Sequence, residues 1–321
     1  MDLTVVVPCF NEQDGIPRLH AELLRVLPGV APDYEVVAVD DGSTDRTLPR
    51  LRELAASDPR FRYLSLSRNF GKEAAVLAGL RRAHGRRVVI MDADLQHPPE
   101  LLGRMLAVLD SGHDQVVACR DRSGEPLSRR LPARFFYRLL NRFCEVRVPD
   151  GAGDFRMLTR RAVQALLALP EQHRFSKGLF AWIGFDTAHV PFRGGARQGG
   201  RSRWTWRALV EHGADGLFSF HRKPLRGAGC VGALVATAGA VQALRELAGG
   251  GPLLAPVLLC AAGVQMLLLG VVGEYLGRIH LETMGRPHFL VKESGGLARG
   301  IGGSAGDRGY DALCAASAER V

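Results

Sequence analysis

The sequence has no pair of cysteines at C-x-x-C spacing. Its six (Cys9, Cys119, Cys144, Cys230, Cys260 and Cys314) are scattered over 321 residues. That argues against a zinc site and a disulfide framework, and points to a reducing compartment. No basic n-region or cleavage site precedes the strand-like L-T-V-V-V at the start, so no secretory signal is expected. Internal repeats are missing too. No G-x-G-x-x-G follows the first apolar run, which argues against a dinucleotide-binding unit. Gly71-Lys72 is no P-loop either, since Leu66 stands where the upstream glycine belongs and Glu73 replaces Ser/Thr. Negative charge is in deficit: 33 Asp and Glu against 42 Lys and Arg give a net charge of +9. Such a balance points to phosphates or an anionic membrane surface as partners rather than to a fold. Nucleic acid is not among the expected partners.

What is present begins with alternation. Up to about residue 120, strand and helix patterns alternate with short connections, the signature of βαβ units and a parallel sheet. Strands are expected over residues 3–7, 35–39, 62–66, 88–91 and 115–119. Ile16, Leu19, Leu23, Leu24 and Leu27 recur at helical spacing between the first two, and Leu48, Leu51 and Leu54 do so in the next segment.

The run Val88, Val89, Ile90, Met91 lacks polar alternation, as a strand buried on both faces would. It ends in two carboxylates, Asp92 and Asp94, and the pattern from Pro98 reads as a helix start with Glu100 in its first turn. With the amide oxygen of Gln96 they form an all-oxygen cluster of the kind Mg²⁺ or Mn²⁺ prefers when substrate phosphates complete the shell. Asp-x-Asp by itself serves equally well as loop and capping chemistry. The other connections weigh on the choice: P-C-F-N-E (Pro8 to Glu12), D-D-G-S-T-D (Asp40 to Asp45) and S-R-N-F-G-K-E (Ser67 to Glu73) also follow strands. Four polar loops at the carboxyl edge of one sheet favour a nucleotide pocket.

Those loops, together with D-A-D-L-Q-H-P-P-E, resemble the consecutive motifs of inverting family 2 glycosyltransferases. More narrowly, the chain is similar to polyprenyl-phosphate glycosyltransferases, including bacterial undecaprenyl-phosphate glucosyltransferases and dolichyl-phosphate mannose synthase. The resemblance runs from Leu3 to about Val291. It implies a GT-A fold, a Rossmann-like and mostly parallel α/β sheet, with Asp92, Asp94 and Gln96 around the metal. It also implies donor binding by Pro8, Glu12, Asp40 and Lys72, joined by Asp92 and Gln96. Members often carry Asp where this chain has His97. In G-A-G-D-F-R-M (Gly151 to Met157), the resemblance makes Asp154 the catalytic carboxylate. Arg120 and R-S-R (Arg201, Ser202, Arg203) are the expected phosphate and acceptor contacts, the latter on a cationic lid where the family usually has Lys at position 203.

Residues 121–142 turn arginine-rich around Phe135, Phe136 and Tyr137, which suits a basic helix at a membrane surface or one packed on the sheet. Residues 205–226 read as an amphipathic juxtamembrane segment. Two apolar runs follow, 227–244 and 253–273, the second with Gln265 as its only polar side chain and long enough to span a bilayer. Arg222, Lys223 and Arg226 precede them and Arg278, Arg286 and Lys292 follow, which puts the catalytic domain in the cytoplasm, at a plasma membrane crossed twice. The expected plan is therefore a catalytic domain over 1–204 and a juxtamembrane segment over 205–226. A two-helix hairpin over 227–276, a return segment over 277–292 and a disordered Gly/Ala/Ser-rich tail over 293–321 complete it.

The resulting expectation is a membrane enzyme that moves one sugar, with UDP-glucose favoured, from a nucleoside diphosphate to a polyprenyl phosphate for cell-envelope glycosylation. Two rivals stand beside it. A processive polysaccharide synthase would carry Q-x-x-R-W, but here Ser202 follows Gln198-Gly-Gly-Arg201. A non-catalytic scaffold would have no use for Asp92, Asp94 and Asp154 together. Oligomeric state, a homo-oligomer included, stays open.

Overall fold

Runs without polar alternation become strands because only a position between two helical layers accepts them. In the computed structural model, β1 (Leu3–Cys9) and β2 (Tyr34–Asp40) are buried along their whole lengths. The structure describes residues 1–120, 152–171, 174, 176–192, 254–296 and part of 234–244. Six further strands join: β3 (Phe61–Leu66), β4 (Arg87–Ile90), β5 (Gln115–Arg120), β6 (Ala152–Thr159), β7 (Thr187–Phe192) and β8 (Val291–Gly295). Their order is β7-β5-β6-β4-β1-β2-β3-β8. β6 pairs antiparallel with both β4 and β5, and β8 antiparallel with β3, while the remaining pairs are parallel. This is a GT-A-like, mostly parallel α/β sheet, as expected.

Alternate residues of each strand serve opposite layers. Val5, Val7, Val36 and Ala38 pack with Ile16, Leu19, Leu23 and Leu27 of α1 (Ile16–Val30), Leu51 of α2 (Thr47–Ser57) and Leu102 and Met105 of α4 (Leu101–Asp110). Val6, Val88 and Ile90 face α3 (Lys72–Arg82), α5 (Arg160–Leu167) and α6 (Ser176–Trp182). Helix α3 lies flush on β1, because Gly79 has no Cβ; one added there would stand 2.3 Å from Val6 Cγ1. That close approach fixes where the N-terminus of α3, and so Lys72, reaches the carboxyl edge of the sheet.

Helix α7 (Leu254–Thr283) is different in kind. Its stretch Ala261–Thr283 has a mean hydropathy of 1.2, and among its described residues none is buried. Among the described residues it is the one helix long and apolar enough to cross a membrane. After it the chain returns to the sheet. Ser67 N–H donates to Leu290 O at 2.9 Å, Phe289 is buried among Leu64, Leu66, Ala74 and Leu77, and β8 adds to the sheet beside β3. Arg52 clasps Glu293 through two bonds of 2.7 and 2.6 Å, and Tyr63 Oη donates to the same carboxylate at 3.2 Å.

Several expectations shift. The tail placed at 293–321 begins too early, since Glu293, Ser294 and Gly295 are paired in β8. The catalytic unit is likewise not confined to 1–204. Helix α4 starts at Leu101, not at Pro98: the carbonyls of Pro98 and Pro99 accept from Leu101 and Leu102, a turn that leads into the helix. Strands β1, β2, β3 and β5 run one or two residues longer than expected, while β4 covers Arg87–Ile90 and releases Met91. The arginine-rich segment 121–142, the lid with Arg201, Ser202 and Arg203, the juxtamembrane segment 205–226 and residues 297–321 lie outside the described residues, and so does most of the run 227–244.

Candidate functional site

Register brings the two principal carboxylates together. Ile90 of β4 lies opposite Arg156 of the antiparallel β6. Continued two residues beyond the end of β4, that register sets Asp92 opposite Asp154. Between them reaches Lys72, the first residue of α3, with Nζ 2.6 Å from Asp92 Oδ1 and 2.6 Å from Asp154 Oδ2. Burial pushes the lysine pKa down, but the two carboxylates outweigh it and the ammonium is held more firmly than an ordinary lysine.

The loop after β2 places that lysine. Asp40 is fully buried and uses both oxygens: Oδ1 accepts from Ser43 N–H at 3.1 Å and Oδ2 from Ser65 Oγ–H at 2.8 Å. Asp41, 3% exposed, accepts from Phe70 N–H at 2.8 Å and Gly71 N–H at 2.9 Å, the two amides that lead into α3. Burial raises its pKa, against the pull of those two amides and aided by Asp40. Gly42 turns the loop at φ +65°, where a Cβ would stand 2.3 Å from the carbonyl carbon of Arg68. Only glycine lets the D-D-G loop lie against the S-R-N-F loop.

The loop after β1 interlocks with the same connection. Pro8 is buried in β1 opposite Val39, and β4 stops pairing at Val6, before the proline needs a donor it lacks. Asn11, in the left-handed region at φ 54°, takes Thr44 N–H on its Oδ1 and gives its own N–H to Ser43 Oγ. Glu12 N–H donates to Thr47 Oγ1 at 2.8 Å, and Glu12 O accepts from Gly15 and Ile16. Pro8, Glu12 and Asp40, the expected donor-binding residues, thus share one edge with Lys72.

Below Asp92 the chain takes a strained path. Leu95 adopts φ 53°, a left-handed conformation that costs a side-chain-bearing residue roughly 1–2 kcal/mol. The turn is held by Gln96 N–H donating to Asp94 Oδ1 at 3.1 Å. His97 packs its ring against Phe155 and Phe192, with centroids at 5.1 and 5.4 Å. Burial pushes its pKa below the usual histidine value, against the opposing pull of Asp92 and Asp94. A charged partner in the family's style at this position would have to be desolvated against two phenylalanines.

Three features were not read from the sequence. From Ala152 on, G-A-G-D-F-R-M is a strand (Ala152–Thr159), not only a glycine loop, and that strand is what delivers Asp154. Arg156, 4% exposed, stacks over Phe180 at 3.6 Å and donates to Gly153 O at 3.3 Å; burial lowers its pKa to about 10, offset by Asp154 and Glu73. Ser176 Oγ–H bonds Glu73, tying α6 to the turn that carries Lys72. An apolar alternation around Arg156 was the available signal for β6. Arg120 ends β5 opposite Phe192, at the same carboxyl edge of the sheet where Ala152 opens β6 beside Cys119.

The edge thus sets the Lys72 ammonium between Asp92 and Asp154, with Glu12, Asp40 and Asp94 on the loops beside it. Residues 4–167 match the model of Glycosyl transferase family 2. The chain is 41% identical over 302 residues to putative glycosyltransferase CsbB of Bacillus subtilis, covering 91% of this chain and 92% of that one. It is 36% identical over 305 residues to SfII prophage-derived bactoprenol glucosyl transferase of Shigella flexneri, covering 92% and 98%. Among solved structures, mannosyltransferase PcManGT from Pyrobaculum calidifontis, in complex with GDP-Man and Mn²⁺, is similar at 21% identity and a TM-score of 0.47, over 88% of this chain and 83% of that one. On the family match and the long relatives, this chain is a glycosyltransferase and belongs to glycosyl transferase family 2.

Proposed function

We propose that the chain transfers a single sugar, with UDP-glucose the favoured donor, onto a polyprenyl phosphate with inversion at the anomeric carbon. The observation that carries the reading is the Asp92–Lys72–Asp154 bridge at the carboxyl edge of the sheet. Relatives named bactoprenol glucosyl transferases support the acceptor class. The unburied apolar helix α7 supports a membrane location. In this reading the runs 227–244 and 253–273 form a hairpin that holds the catalytic domain on the cytoplasmic face.

The residues suit a hard divalent cation. Among the described residues no group of three or more His, Cys, Asp or Glu converges to hold a metal. Asp92 and Asp94 with the Gln96 oxygen instead make the sparse oxygen set that Mg²⁺ accepts when phosphates and water fill the rest. When bound, Mg²⁺ or Mn²⁺ supplies charge neutralisation for the departing diphosphate.

Glu12 would line the base and ribose, and Lys72 the diphosphate side; Pro8 and Asp40, both buried, would shape the loops behind them, Asp40 with both oxygens already bonded to Ser43 and Ser65. Asp154 faces the acceptor. A phosphate monoester has a second pKa of about 6, so near pH 7 its oxygen attacks the anomeric carbon mostly as a dianion while the bond to the diphosphate oxygen breaks. Asp154 then orients the acceptor more than it removes a proton. Arg120, Arg201, Ser202 and Arg203 would hold the acceptor phosphate. The test is purified protein in detergent with radiolabelled UDP-glucose, a divalent ion and a polyprenyl phosphate. Label should pass into a solvent-extractable lipid; label that stays in nucleotide, or enters polymer, overturns the reading.

A further inference from the structure

Lys72 sits where charge balance at the edge is decided. Its ammonium contacts Asp92 Oδ1 and Asp154 Oδ2 at the same distance, 2.6 Å, so it bridges a metal-side carboxylate and an acceptor-side one. Its position is not left to the flexible stem alone. Asp41 fastens the two amides before it, Glu73 after it is bonded by Ser176, and Gly79 seats the helix on β1. Side chain and backbone together aim one positive charge at Asp92.

We propose that Lys72 is an internal counter-cation of the metal site, bound to Asp92 until a nucleoside diphosphate brings the metal ion in. A divalent cation and an ammonium on one carboxylate repel each other at about 4 Å, enough to weaken metal binding by roughly tenfold or more. A diphosphate adds negative charge that accommodates both cations, and the lysine stem is long enough to turn towards the phosphates or stay on Asp154. Metal and nucleotide therefore bind as a unit, and metal alone binds poorly. The inference rests on the metal-dependent reading above and adds an order of binding to it.

Calorimetric titration of the full chain in detergent with Mn²⁺, without and with UDP, tests it. In the wild type, UDP should tighten Mn²⁺ binding by roughly tenfold or more. Lys72→Met should bind Mn²⁺ alone tighter by a similar factor and lose most of the UDP effect, whereas Lys72→Arg, which keeps the charge, should behave as wild type. Lys72→Gln replaces Lys72→Met if the latter does not fold. Lysine-free variants that bind Mn²⁺ alone no better than wild type, while UDP still tightens binding, overturn the counter-cation role and leave the metal reading standing. A wild type that binds no Mn²⁺ even with UDP overturns both.

Discussion

Replacing Asp41 by alanine should loosen the catalytic edge without touching a catalytic atom. The carboxylate is 3% exposed and accepts two backbone N–H groups, from Phe70 at 2.8 Å and Gly71 at 2.9 Å. Alanine orphans both. An unsatisfied buried donor costs about 1–3 kcal/mol, and the half-exposed loop lets water recover part of that. Removing the acid also removes the burial cost that raises its pKa. The net loss should be about 2 kcal/mol, with a larger effect on turnover, because the released amides are those that set the start of α3 and with it Lys72. The raised pKa means the neutral form is tolerated, so Asp41→Asn, which keeps one acceptor oxygen, should lose less. The sign for pH follows: with a folded pKa above the unfolded one, the contribution from this group is full below about 4 and falls as pH rises through the folded value. Thermal unfolding in detergent beside steady-state transfer reads both effects. An Asp41→Ala protein with unchanged melting and unchanged kcat would refute the clamp.

Three further outcomes follow from the same edge and its far side. Gly42→Ala forces a Cβ to within 2.3 Å of Arg68 backbone at φ +65°, so UDP binding measured by calorimetry should collapse together with stability. Arg52, by its hydrogen bonds, holds the Glu293 carboxyl below the usual range, so the stability from this half-exposed pair is present above the unfolded pKa and lost as pH falls through the lower folded value. Glu293→Gln should thus cost roughly 0.5–1 kcal/mol at pH 7, and denaturation curves of variant and wild type should converge in acid. Asp154→Asn should transfer sugar more slowly with the wild-type pH profile; a rate that climbs back as pH rises through about 6 to 8 would assign proton removal to Asp154 instead.

The sequence made the central strands legible because β1, β2 and β4 are buried on both faces, and such burial leaves no room for polar alternation. The sequence singles out Asp92 and Asp94 by their place after a buried run and Asp154 by resemblance, but not the meeting of Asp92 and Asp154 on Lys72: that depends on β6 entering antiparallel between β4 and β5, a pairing no local pattern encodes. Strand β8 hid for a related reason. V-K-E-S-G has the composition of a tail, and it becomes a strand only because β3 offers an edge and Arg52 and Tyr63 offer partners more than 200 residues away in the chain. His97 and Arg156 read as polar residues, and burial against Phe155, Phe192 and Phe180 changes what each can do.

The place of β8 in the chain has a consequence for biosynthesis. The strand that closes one side of the sheet is made after α7, so when the ribosome has finished β3 its outer edge has no neighbour, and none arrives until the whole apolar helix has been translated. An open edge is a template for pairing with other chains. Here the strand that caps it, and the Phe289 side chain that seals the layer beneath, come only with a helix none of whose described residues is buried. Completion of the sheet is thereby made conditional on synthesis of α7, and a chain released before residue 291 keeps the β3 edge open as a template for pairing with other chains.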